Sequence, residues 1–198
     1  FVTAGNTGAA MATAYFRLGT IEGVDLPALA PVFPTATGFC VVLDIGANPE
    51  VKPENLYQFA ILGSIYAEKV RGVKNPKVGL ISNGEEEGKG NHNVKEATPL
   101  LKNSGLNFVG NVEGKEVIGG KVDVAVIDGF AGNIMLKTAE AVAKLIVDKI
   151  KEAIKTGGPL AMLGGILVKP ALGKIKKMLD PSEEGAAPLL GVNGLVFI

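Results

Sequence analysis

The chain has 198 residues, 47% of them hydrophobic and 6% aromatic, with 20 basic side chains balanced by 20 acidic ones. This length suits one main α/β domain with a sizeable core, and the balanced charge excludes a general electrostatic attraction for nucleic acid. The single cysteine, Cys40, excludes an internal disulfide framework and a zinc cluster. Its place in an apolar run predicts a buried strand residue, inert rather than nucleophilic.

We expect a cytoplasmic protein, because the sequence shows neither a basic-then-apolar leader nor an uninterrupted apolar stretch near the roughly 20 residues that span a bilayer. Both ends resemble interrupted strands. Residues 1–3 are typical of the end of a strand, and residues 194–198 of a strand still in progress. We therefore expect a chain truncated at both ends.

Four apolar runs typical of strands each stop at a loop rich in Gly and Asn, and a helical pattern follows each loop. The first loop, 5–8, precedes a helix predicted from Ala9 to about Leu18. The second, 44–48, follows a strand at 39–43, and Pro53 suits the first turn of a helix that runs to about Val70. This alternation predicts a mostly parallel sheet.

The third loop, 83–91, lies between a strand at 77–82 and a helix near 94–101. A further strand at 107–112 lacks the same punctuation. The fourth loop, 128–133, follows a strand at 122–127. Its helix has the clearest apolar face in the chain. That face comprises Met135, Val142, Leu145, Ile146, Ile150 and Ile154.

The segment 157–179 differs from the rest of the sequence. An apolar stretch at 159–168 leads into four lysines, Lys169, Lys174, Lys176 and Lys177. We predict a helical hairpin here, inserted in a single α/β domain that spans residues 1–198.

The loops are candidate binding sites, because ligands of open parallel sheets bind outside the carboxyl ends of the strands. Helix N-termini offer unpaired N–H groups and a partial positive charge, and glycine lets the backbone approach an anion. Four such loops predict a phosphate site without a basic patch. Glycines that only shape the turns are the alternative.

Nucleotide motifs are approached but not completed. The run from Gly84 to Gly90 resembles a P-loop, yet it is one residue short and has Gly90 where Ser or Thr would hold magnesium. Three consecutive glutamates in it would repel a triphosphate. Asn93 stands where a dinucleotide fingerprint needs its third glycine, which argues against a Rossmann cofactor.

Three polar residues beside these loops are candidates for chemistry. Lys89, flanked by glycines, is placed to hold phosphate or the oxyanion of an attacked thioester, and a solvated surface lysine is the alternative. Asn133 is predicted to open a helix, either as a simple N-cap or as a group that orients a carbonyl. His92, the only histidine, has no neighbouring Ser or Cys nucleophile, so we interpret it as incidental.

Together these loops resemble the PlsX family of bacterial phosphate acyltransferases of phospholipid synthesis. The resemblance runs from end to end, through segments 4–8, 43–48, 58–60, 63–67, 84–91, 108–114, 128–133 and 185–191. It implies a three-layer α/β/α fold like that of phosphotransacetylases and isopropylmalate dehydrogenase. Residues 91–93 depart from the polar pattern usual in the family.

The resemblance implies a reaction in which inorganic phosphate attacks the thioester of acyl carrier protein, without a covalent intermediate, a cofactor or a required metal. It assigns Lys89 and Asn133 as catalytic residues. Substrate-binding positions carried over from the family motifs are Gly5, Asn6, Thr7, Gly8, Asp44, Gly46, Asn48, Gly88, Gly90, Asn91, Asp128, Gly129, Phe130 and Gly132.

The family is typically homodimeric and touches anionic membrane through a helical hairpin, which corresponds here to residues 159–177. A helix packed against a partner subunit is the alternative for this segment. Two other functions stay open: a phosphotransacetylase-like enzyme that uses acyl-coenzyme A, and a non-catalytic module that docks at a membrane surface.

Overall fold

The computed structural model describes residues 1–179 and 185–198, with side chains described as far as residue 173 in the first range. Its elements, in chain order, are α1 (Thr7–Leu18), β1 (Ala28–Leu29), β2 (Val32–Thr35), β3 (Gly38–Leu43), α2 (Pro53–Lys69), β4 (Lys77–Ile81), α3 (His92–Lys102), β5 (Asn107–Val112), α4 (Gly114–Gly119), β6 (Val124–Val126), α5 (Gly129–Thr156), α6 (Gly158–Leu179) and β7 (Leu189–Leu190).

The central sheet has five strands in the order β2-β3-β6-β4-β5. Only β2 is antiparallel to its neighbour, so the predicted mostly parallel sheet and α/β class are confirmed. All four strands predicted in the interior of the chain are present. The last of them, β6, is shorter than the predicted range 122–127.

One face of this sheet packs against α2 and α3. Alternate residues of the central strands point to that side, as the period of two in a strand requires. Val41, Leu43, Val78, Leu80, Val124 and Val126 form a buried cluster there with Phe59 of α2. This packing fixes the strand ends from which the functional loops emerge.

Close packing leaves no room for a side chain at Gly63, in the middle of α2. A Cβ built there would lie 2.6 Å from Val124 Cγ1 and would also collide with Leu43. We expect Gly63→Ala to lower the free energy of unfolding by about 1–3 kcal/mol, the usual cost of overpacking a core. Urea denaturation measures this. Gly119→Ala, where nothing lies within 4 Å, is the matched control, and equal losses in both variants would contradict the packing described here.

The single cysteine lies fully buried on β3, as predicted. Burial, with a smaller contribution from Asp123, raises the pKa of the Cys40 thiol to about 12. Because the thiolate is the reactive form, Cys40 should resist iodoacetamide at pH 8 in the native protein and react fully in urea. Alkylation can be followed by mass, with glutathione as the reactive standard. Native labelling at the rate of glutathione would contradict this burial.

Several short elements were not predicted from the sequence. The two-residue strands β1 and β7 pair with each other, Ala28 opposite Leu190, in a small antiparallel sheet. β2 and α4 were also missed. The prediction of a strand at 194–198 was wrong, because in that range only Phe197 forms isolated β-bridges, with Val2 and with Pro188.

By its contacts the chain divides into two compact units. The first comprises residues 1–133 and 186–198, and the second residues 134–185. A single domain over the whole chain stays a prediction. Among the helices of the described residues, none combines the length and the hydrophobicity that a membrane span requires.

The second unit consists of most of α5 followed by α6. The hairpin predicted within 157–179 needs correction, because these residues form one helix, α6, and the turn lies at Gly157 directly after α5. Gly165 of α6 faces Ile154 of α5 so closely that a Cβ there would collide with it. The predicted apolar face of α5 is largely exposed, including Val142, Leu145 and Ile146. The lysines at 174, 176 and 177 lie where side chains are not described.

Candidate active site

Three of the four predicted loops meet at one edge of the sheet. Loops 44–48, 128–133 and 83–91 follow the carboxyl ends of β3, β6 and β4, which are adjacent parallel strands. Their neighbourhood is a consequence of strand order, because parallel strands all end at the same edge. This is the position where open α/β sheets bind ligands.

The second and fourth loops are joined through their backbones. The Gly129 N–H donates to the Asn48 carbonyl at 2.9 Å. A Cβ at Gly129 would lie 2.6 Å from that carbonyl oxygen, and one at Gly132 would overlap the carbonyl of Asp44. Both glycines are therefore required for the close approach of α5 to the second loop.

The Asp44 carboxylate is fully buried and organises the second loop. Its oxygens accept hydrogen bonds of 2.6–3.2 Å from the backbone N–H groups of Leu29, Ala47 and Asn48 and from the Asn48 side chain. Burial raises the pKa of the Asp44 carboxyl, and these hydrogen bonds oppose the rise. The Asn48 amide also donates to Pro27 at 2.6 Å. The structure thus gives both side chains a role in holding the loop.

The prediction that Asn133 opens a helix was wrong. α5 begins four residues earlier, at Gly129, and Asp128 caps it by accepting from the Ala131 N–H at 2.8 Å. Asn133 is exposed in the second turn, with its side chain against Gly46, which has a φ of +95°. Phe130 is 63% exposed at the start of the same helix.

The third loop is closed by its own asparagines. Asn83 Oδ1 accepts from the Gly90 N–H at 2.9 Å, and Asn91 caps α3 by accepting from the Val94 N–H at 3.0 Å. Gly90 has a φ of +98°, which favours glycine. The helix that follows begins at His92, two residues before the predicted start. Gly88 and Lys89 are exposed on the outer part of the loop.

A cleft of about 480 Å³ lies between the third and fourth loops. Of the predicted site residues, Gly90, Asn91 and Asp128 line it. The sequence analysis missed three further polar residues of its wall, Ser82, Asn83 and Asn93. Ser82 and Asn83 follow a strand directly, a position that signals the carboxyl edge of a sheet. The sequence marks Asn93 only as the residue that breaks a dinucleotide glycine motif. In the structure its side chain donates to the Val51 carbonyl at 2.7 Å.

The first loop stands apart from this cleft wall. Asn6 caps α1 by accepting from the Ala9 N–H at 3.0 Å, and Gly5 and Gly8 are exposed beside it, with Thr7 as the first helical residue. Among described contacts, the connection between α1 and the second loop is apolar: Ala14 and Ala47 belong to one buried cluster. No described contact joins Lys89 to Asn133.

Two of the three glutamates in the third loop pair with lysines other than Lys89. Glu87 pairs with Lys102, and Glu85 pairs with Lys121 at 3.3 Å and with Lys115 at 3.6 Å. Among the described residues no carboxylate pairs with the Lys89 ammonium. Lys89 is therefore the cation of this loop that is available to an anionic ligand. The described residues hold no group of three His, Cys, Asp or Glu side chains suited to a metal.

The family model described as "Fatty acid synthesis protein" matches residues 1–198. Curated relatives named phosphate acyltransferase include those of Elusimicrobium minutum, 53% identical over 198 residues, and Carboxydothermus hydrogenoformans, 51% identical. These alignments cover 100% of this chain but 58% and 60% of the two relatives, so the chain spans less than two thirds of their length.

Solved structures with a similar fold include two phosphotransacetylases. The Staphylococcus aureus EutD phosphotransacetylase matches 69% of this chain and 50% of its own length with a TM-score of 0.52 at 21% identity. A Streptococcus pyogenes phosphotransacetylase matches 72% of this chain and 50% of its own with a TM-score of 0.58 at 17% identity. The predicted similarity in fold to phosphotransacetylases is confirmed.

Proposed function

Because the chain belongs to the fatty acid synthesis protein family, we propose that it forms the larger part of an acyltransferase that moves a fatty acyl group from acyl carrier protein to inorganic phosphate. The observation that carries this proposal is the match of the whole chain to relatives named phosphate acyltransferase. The product would be an acyl phosphate for glycerophospholipid synthesis.

The geometry of the strand ends supports a phosphate substrate. Two helices, α3 and α5, begin at the cleft, where the partial positive charge of a helix N-terminus favours an anion, and no salt bridge of the described residues occupies Lys89. Net charge contributes nothing, since 20 basic residues balance 20 acidic ones. Phosphate would thus be held by local backbone geometry and by Lys89.

The reaction needs placement and charge stabilisation rather than a protein nucleophile. A phosphate oxygen attacks the thioester carbonyl carbon, an oxyanion forms, and the C–S bond then breaks to release the carrier thiolate, which takes up a proton. Lys89 would stabilise the phosphate or the oxyanion, and the Asn133 amide would donate to the carbonyl oxygen. The exposed Phe130 ring offers apolar surface to the acyl chain. Cys40 is buried too deeply to take part.

The identity of the acyl donor distinguishes the proposed function from a phosphotransacetylase-like reaction. We would prepare the full-length protein, meaning this chain with any flanking sequence that its gene encodes, and measure phosphate-dependent thiol release from acyl carrier protein and from coenzyme A carrying the same long acyl chain. Preference for the carrier-protein thioester supports the proposal. Preference for coenzyme A would favour the phosphotransacetylase-like reaction, whose solved examples share the fold.

A peripheral contact with anionic membrane is the proposed role of α6. Leu160, Ile166 and Leu167 are exposed there, Leu167 to 76%, and the exposed Lys169 follows them. Apolar side chains beside cations are typical of helices that lie in a bilayer interface. A homodimer that covers these side chains is the competing role.

Vesicles separate the two roles. The full-length protein should sediment with phosphatidylglycerol vesicles but not with phosphatidylcholine vesicles, and Leu167→Glu should abolish the binding. Ile118→Glu, a similar exposed change on α4, is the control and should bind normally. Absence of vesicle binding, with Leu167→Glu splitting a dimer in sedimentation, would assign the surface to the partner subunit instead.

A further inference from the structure

We infer that Asn111, on the edge strand β5, is a positioning residue that fixes Lys89 for the phosphate substrate, an inference that rests on the proposed function. Its side chain is 5% exposed and points at the third loop. Its Nδ2 group donates to the Glu86 carbonyl at 3.0 Å and to the Lys89 carbonyl at 3.4 Å. A single buried amide thus holds both ends of the turn that carries the lysine.

The turn itself is closed independently of Asn111. The Lys89 N–H donates to the Glu86 carbonyl at 2.9 Å. The lysine stem then crosses Gly84, where a Cβ would lie 2.8 Å from Lys89 Cγ. Asn111 therefore does not create the turn. It sets where the closed turn sits relative to the sheet, and with it the starting point of the Lys89 side chain.

The polarity of Asn111 is not explained by packing. The two carbonyl acceptors require its NH₂ group to face the loop, and its Oδ1 then has no hydrogen-bond partner among the described residues. An unpaired buried oxygen destabilises a fold. Leucine, with similar volume and no polar atom, would avoid that cost if the position only filled space. The hydrogen bonds to the loop are what the asparagine adds.

Ion pairs connect two other residues of the third loop to α3 and to the region of α4. Glu87 reaches Lys102 on α3, and Glu85 reaches Lys115 on α4 and Lys121 just after it. Hydrogen bonding and charge from Glu116, with a further contribution from Glu85, raise the pKa of Lys121 and keep it cationic. These pairs are exposed and individually weak. The buried Asn111 amide is thus a firmer constraint on the turn than these ion pairs, and it adds to the Asn83 and Asn91 hydrogen bonds at the end of the loop.

A double-mutant cycle with Lys89 tests the inference. In the full-length protein, Asn111→Leu should raise the KM for phosphate roughly 10- to 100-fold, because misplaced groups of this kind lose that much, and leave the KM for the acyl donor within about twofold. If Asn111 acts through Lys89, adding Asn111→Leu to Lys89→Ala should produce no further loss. Multiplied losses in the double variant would overturn the inference.

A matched control lies on the same strand. Asn107 donates from its side chain to the Asn75 carbonyl at 3.0 Å, another strand-to-loop hydrogen bond, away from the third loop. Asn107→Leu should leave the KM for phosphate unchanged. If Asn111→Leu does not fold, Asn111→Ser, which is too short to reach either carbonyl, replaces it in the cycle.

Hydrogen exchange gives a readout that does not depend on activity. Peptides covering residues 84–91 should exchange faster in Asn111→Leu than in the parent protein, while peptides from α2 keep their protection. Unchanged exchange in 84–91 would overturn the inference that the Asn111 hydrogen bonds hold the third loop. An inactive parent protein with accelerated exchange in the variant would refute the proposed function and leave that role of Asn111 standing.

Discussion

Asp44→Ala is expected to reduce the free energy of unfolding by about 3–5 kcal/mol, the largest stability loss of the changes considered for this chain. Four N–H groups lose their acceptor at once, and the three that belong to the backbone cannot turn toward water. Leaving a buried donor unsatisfied costs about 1–3 kcal/mol. Urea denaturation, read as a shift in midpoint at constant slope, measures the change.

Two companion variants isolate the cause. Asp44→Asn keeps the shape and one acceptor oxygen, so its loss should be smaller than that of Asp44→Ala. Asp25→Ala removes an exposed carboxylate that has one side-chain partner, Gln58, and should lose less than about 1 kcal/mol. An Asp44→Ala protein as stable as Asp25→Ala would mean that the buried network does not hold the second loop.

Lys89→Ala is expected to have the largest effect on activity. Loss of one donor that stabilises a developing anion typically costs on the order of 10² to 10³ in rate, and Lys89 is the cation of the third loop without a carboxylate partner among the described residues. Phosphate-dependent thiol release by the full-length protein measures the loss. Because Lys89 is exposed, the unfolding midpoint should not move.

Another lysine provides the comparison. Lys95 is exposed on α3, close in sequence to the third loop, and Lys95→Ala should keep activity within about twofold, since a solvated charge of this kind contributes little. Lys89→Arg keeps the charge and should recover part of the activity. If Lys89→Ala stays within fivefold of the parent protein, Lys89 has no direct role with phosphate.

The sequence predicted most strands of the central sheet because each is an apolar run, and all of these runs except 107–112 end at a loop rich in glycine and asparagine. Runs 39–43, 77–82 and 107–112 became β3, β4 and β5 with end points within one residue. The short strands β1 and β7 could not be predicted in this way. Each has two residues, and each is a strand only because Ala28 pairs with Leu190, a residue far away in the sequence. Local patterning carries no information about such a distant partner.

The sequence predicted which loops lie together at the candidate site, but it did not predict where their side chains point. Strand order brings the second, third and fourth loops to one edge, as alternation of strand and helix implied. Asp44 and Asn48 have the residue types of ligand-binding groups, but their polar atoms face buried backbone. Asn111 gave no signal beyond its place in the family-like segment 108–114, because a polar residue inside an apolar strand resembles a solvent-facing one until its partner loop is known.

The most direct test of the account is detection of the acyl phosphate itself. The full-length protein would be incubated with inorganic phosphate and a long-chain acyl carrier protein, and the products followed by phosphorus NMR together with titration of free thiol. The account predicts acyl phosphate and carrier thiol in equal amounts, both dependent on added phosphate. Thiol release that is indifferent to phosphate, or no release from either the carrier-protein or the coenzyme A thioester, would contradict it.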